Sequence, residues 1–155
     1  MRIGKALREL HGSESALAVE LLRVVDRHPK EHEVRHVAGD LAVWSQEHVR
    51  EVAAVASRYG VAPADLERPE PPEEEVRELP GEGSDADMSL LADLRRLYRM
   101  SAGVALDWDL LGQGAQVIAD AELLAITERC RSRSVRQMHW ARGMLKTLSP
   151  QTLAS

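Results

Sequence analysis

Apolar residues recur along this chain at intervals of three and four, the period of a helix with one buried face. Near the N-terminus the series is Ile3, Leu7, Leu10, Glu14, Leu17, Leu21 and Val24, with Ala6 and Ala18 alongside. The helix it predicts stops at "RHPKEH", because Pro29 disfavours helical backbone at His28 and suits the first turn of a new helix. A second series, Val34, Val37, Leu41, Ser45, His48, Val52, Val55 and Tyr59, predicts a helix from about Lys30 to Tyr59. It should end at Gly60, the residue type that best takes a left-handed C-terminal cap. So short a turn makes these two helices an antiparallel hairpin over residues 1–60.

Residues 61–87 break the pattern. The stretch "VAPADLERPEPPEEEVRELPGEGSDAD" holds five of the seven prolines, ten acids and two bases, and is expected to carry no regular element. Helical periodicity resumes at Met88 and runs through Leu90, Leu94, Leu97, Ser101, Val104, Trp108, Leu111, Ala115 and Ile118. Asp120 suggests a break, then a short helix "AELLAITERC" and a fourth long helix starting near Ser132 or Ser134, either of which suits an N-cap. A second hairpin over 88–149 and a tail at 150–155 follow. No strand alternation and no internal repeat is present, so the fold class is all-α.

Length makes the connection informative. Antiparallel neighbours in an up-down bundle need only a few connecting residues, and here there are 27. Bundle helices of this size are roughly 40 Å long. A proline-rich linker of this length reaches about 80 Å, enough to run the length of the bundle. Two antiparallel hairpins joined by a long crossover form a four-helix bundle of ferritin-like topology. Two independent hairpins on a disordered tether are the alternative.

At 155 residues the chain suffices for a single domain with a proper core. Aromatics are scarce, with three Trp, two Tyr and no Phe, so the core must be built of Leu, Ala and Val. One cysteine, Cys130, excludes an intrachain disulfide and suits a reducing compartment. No signal peptide or membrane span is visible, and a cytoplasmic location is expected. The net charge of −5 is the sum of −8 in the linker and +3 elsewhere.

With "ELHGSESALAVELLRVVDRHPKEHEVRHVAGDLAVWSQEHVREVAAVASRYG" in the first hairpin and "LDWDLLGQGAQVIADAELLAI" in the second, the chain resembles the ferritin-like superfamily. It is most similar to small bacterial stress-associated ferritin-like proteins of uncharacterised function. The resemblance implies a two-metal centre in which each hairpin supplies one Glu and one Glu-x-x-His. Here Ser45 stands three residues before His48, and Arg136 three before His139, so two of the carboxylates are missing. The literal Glu-x-x-His, Glu33 to His36, turns His36 roughly 160–200° from the core direction at ~100° per residue.

Each long helix offers one inward or near-inward polar residue: Glu14, His48, Asp107 and His139. Glu14 and His48 are expected to pair, since a lone buried carboxylate is costly. Two His and two carboxylates could also hold one divalent ion, Zn, Fe or Mn. A hydrogen-bonded polar cluster that fixes helix register, and a ligand pocket, are the other readings. Trp44, Trp108 and Trp140 would then be packing units or would crowd the metal space. Arginines 129, 131, 133, 136 and 142, with Lys146, form a basic cluster, expected to be a solvated face. The arginines beside Cys130 could lower its pKa.

The expected function is that of a non-catalytic bundle acting through self-association or another protein partner, without membrane or cofactor. The alternative is a metal-binding protein of metal or oxidative stress handling. Nucleic-acid association through the fourth-helix arginines is weaker still.

Overall fold

The computed structural model describes residues 2–66 and 85–155. Among them are four long helices and no strand: α1 (Arg2–Arg27), α2 (His32–Ala56), α3 (Ala86–Val117) and α4 (Ala121–Ala154). The element boundaries follow from local chemistry. After α2, a 3₁₀ turn over Ser57–Tyr59 leads into Gly60 at φ 78°, and the Val61 amide donates to the Ala56 carbonyl. That bond across a left-handed glycine closes the helix end, and Val61 is buried behind it. Asp85 caps α3 by accepting from the Met88 amide, and Asp120 caps α4 by accepting from Leu123.

Side-chain contacts give the helix directions. Along α1, Gly4 abuts Tyr59 and Val61, and Glu14 meets His48, so α1 and α2 are antiparallel. Arg27 bonds Asp93, Arg96 bonds Glu20, and Ile3 lies against Gly114, which makes α3 antiparallel to α1. Gln137 reaches Leu41, Arg133 reaches Glu47 and Arg58 reaches Asp120, which makes α4 antiparallel to α2. Helices α2 and α3 therefore run in the same direction. Between them stands the 27-residue connection expected to cross the bundle's length. Most of that connection, residues 67–84, lies outside the described residues. Its described start is more regular than expected: Pro63–Leu66 forms a 3₁₀ turn, with Leu66 packed against the core.

The fourth helix corrects a second expectation. No new helix begins at Ser132 or Ser134; α4 is continuous from Asp120, and it passes through Pro150 instead of ending before it. Ser134 is buried in the middle of α4 and its hydroxyl donates to the Cys130 carbonyl one turn back, so it satisfies itself and caps nothing.

The core is Leu, Ala and Val around one large ring, Trp108. It is uneven in polarity. The buried line of α1 includes Leu7, Leu10, Leu17 and Leu21, whereas that of α4 is Leu123, Thr127, Cys130, Ser134, Gln137 and Ala141. Between α1 and α3 lies a buried ionic network in which Asp93 accepts from Arg27 and contacts His28 at 2.7 Å, while Glu20 accepts from Arg23 and Arg96.

Candidate functional site

Helix periodicity places Glu14 on α1 and His48 on α2 facing one another at the centre of the bundle. Glu14 is 0% exposed and His48 1%. The His48 Nδ1 lies 2.6 Å from Glu14 Oε2, a contact that requires a proton between them. Burial raises the Glu14 pKa, and the bond and charge of His48 offset part of that rise. Trp108 of α3 stands edge-on to His48, the ring centroids 6.0 Å apart at 81°. Its indole also bears on the Glu14 carboxylate and favours the ionised form, without completing a hydrogen bond to Oε1.

Next to this pair, Gln137 of α4 enters the core. Its Nε2 donates to the Leu41 carbonyl at 3.0 Å and to Ser45 Oγ at 2.9 Å. Ser45 is the residue three before His48, where a Glu-x-x-His motif would have its carboxylate. A neutral amide–hydroxyl bond therefore occupies that level of the α2–α4 interface.

Of the four residues singled out from the sequence, the structure brings together Glu14 and His48. Asp107 is half-buried at the edge, its pKa raised by burial and partly lowered again by the Ser13 hydroxyl of α1. His139 is exposed and is not an inward residue. The error is one of phase: Gln137 holds the inward position, and two residues further along a helix is roughly 200° round its axis. Arg136 is exposed for the same reason, so its charge points to solvent and not to the centre. Gln137 was overlooked because the buried line of α4 is small and polar. Only the spacing of Cys130, Ser134, Gln137 and Ala141 could have shown it.

The described residues at the bundle centre do not supply the ligands of a two-metal centre. Among the described residues no group of three or more His, Cys, Asp or Glu is placed to hold an ion. Glu14 Oε1, His48 Nε2, Gln137 Oε1 and the indole nitrogens of Trp108 and Trp140 lack hydrogen-bond partners among the described residues. These buried atoms come from all four helices.

Around the centre, charge is largely paired. Arg133 bonds Glu47 at 2.6 Å and lies 5.3 Å above the Trp44 ring, while Arg129 pairs with Glu51 and Arg131 with Asp109. Half of the basic cluster is thus neutralised within the bundle. Trp44 and Trp140 are half-buried and stand outside the centre that Trp108 fills. Cys130 donates its thiol to Glu51 at 3.1 Å, and burial together with that carboxylate raises its pKa instead of lowering it.

No helix among the described residues is long and apolar enough to cross a membrane. Compared with known proteins, the chain matches no family model, no curated protein and no solved structure.

Proposed function

We propose that this chain is a cytoplasmic, ferritin-like bundle lacking the di-iron ligand set, and that it acts by associating with a second copy of itself. The parallel α2 and α3 and the antiparallel hairpins support the ferritin-like reading. The observation that carries the functional reading is an apolar line on the outer face of α3. Leu106, Leu110 and Val117 are 56%, 62% and 87% exposed, and their spacing of four and seven puts them on one ridge. Exposed apolar residues gathered on one ridge mark an association surface more often than scattered ones do.

A second copy suits this ridge because two such helices, crossing antiparallel near Leu106 and Leu110, complement each other by two-fold symmetry. Gly103 continues the line, and a Cβ built there meets nothing within 4 Å, so a partner helix has room to come close. Fully burying each leucine contributes about 1.5–3 kcal/mol. Sedimentation equilibrium tests the reading. The wild-type chain should dimerise with concentration, and Leu106→Glu/Leu110→Glu should remain monomeric with unchanged helix content. A wild-type monomer at all concentrations, or a dimer indifferent to the substitutions, would refute it.

A further inference from the structure

The first turns of α2 hold a feature that neither the core nor the α3 ridge uses. The sequence there is His32-Glu33-Val34-Arg35-His36, and α2 begins at His32. Residues four apart on a helix are stacked neighbours, with Cβ atoms ≈ 5–6 Å apart. Both imidazoles are exposed, and together with Val25 and Arg35 they line a hollow of about 260 Å³. One turn further on, Asp40 Oδ2 lies 3.5 Å from His36 Nε2. That is too long for a hydrogen bond, and an exposed contact of this kind is given up at little cost.

We propose that His32 and His36 chelate one divalent transition-metal ion on the surface of α2. The chemistry follows from the donor set. Neutral imidazole suits Zn²⁺, Ni²⁺ and Cu²⁺, and two nitrogens one helical turn apart can reach a single ion at ~2.0–2.1 Å each. Because the helix already fixes both ligands, the second imidazole binds as an intramolecular group, which multiplies the affinity of the first. Local charge is mixed: Glu31, Glu33 and Asp40 favour a cation, while Lys30, Arg35 and the positive end of the α2 dipole oppose it. The Arg35 guanidinium reaches back to the Pro29 carbonyl, 3.4 Å away.

The spelling His-Glu-x-x-His is the one by which zinc peptidases hold their metal. Those enzymes add a third protein ligand, and no three-residue ligand group exists among the described residues. The site is therefore assigned to binding and not to catalysis. It lies on α2 and shares no residue with the α3 ridge, so it stands or falls independently of self-association.

Isothermal titration of the chelator-treated full chain with Cu²⁺ alone, and then with Zn²⁺ alone, tests the site. One ion per chain is expected, with Cu²⁺ bound more tightly than Zn²⁺. Both His32→Ala and His36→Ala should weaken binding at least about tenfold. His139→Ala, which removes another exposed histidine, should leave it unchanged. All three substitutions are on the helix surface, and circular dichroism confirms that each variant is folded. Absence of binding, or binding that survives the loss of His32 or His36, would overturn the proposal.

Discussion

Glu14 and His48, 34 residues apart in sequence, form a fully buried 2.6 Å contact between α1 and α2. Removing one partner leaves the other without compensation in the core. His48→Leu alone should cost about 3 kcal/mol, because it strands the Glu14 carboxyl. Glu14→Leu/His48→Leu should recover most of that loss, since two leucines of similar volume satisfy each other. A double-mutant cycle in urea measures the coupling; additive single effects would show that the pair does not act as a unit.

Stability should depend on pH through the same pair. Burial raises the folded-state pKa of Glu14 above its ordinary value near 4.5. The contribution of such a group is fully present below the unfolded pKa and is lost as pH rises through the folded one. Glu14→Gln keeps an acceptor for His48 and removes the ionisation. The variant should therefore gain on the wild type as pH is raised from 4 towards 7. Urea unfolding over that range reads the difference, and a variant that loses ground with rising pH would contradict it.

Gln137 is the anchor of α4 in the core. Gln137→Leu removes both of its donations and leaves the Ser45 hydroxyl and the Leu41 carbonyl short of a partner. The expected cost is about 1–3 kcal/mol, with helix content unchanged. A neutral effect would mean that the amide contributes nothing beyond its volume.

Much of the fold was legible because it rests on local signals. Pro29, Gly60 and Asp120 mark three helix ends, and the leucine lines of α1 and α3 give their buried faces. The Glu14–His48 pair was also legible, since both residues interrupt clear apolar lines. α4 was less so. Its buried line of Thr127, Cys130, Ser134 and Gln137 has the composition of a surface, so hydropathy favours His139 over Gln137 and suggests a new helix near Ser132 or Ser134. Those polar residues are buried because their hydroxyls bond to the preceding turn and the amide bonds to α2, a fact of tertiary structure.

The α3–α4 turn offers a test of local strain. Ala119 has φ 56°, the left-handed region, at the position where a helix end favours glycine. Its amide and that of Asp120 donate to the Gln116 and Ala115 carbonyls, so the turn is held in that conformation. Ala119→Gly should raise stability by about 1 kcal/mol by relieving the Cβ clash. Thermal unfolding measures it, and a lower midpoint would show that the turn carries no such strain.

On the proposed reading, the interior of this bundle is a hydrogen-bonded core and not a redox centre. Anaerobic loading with Fe²⁺, followed by air and a count of irons per chain, tests it most directly. No two-iron stoichiometry and no acceleration of iron oxidation over buffer are expected. Two irons per chain, bound in wild type and lost in Glu14→Gln or His48→Leu, would contradict it.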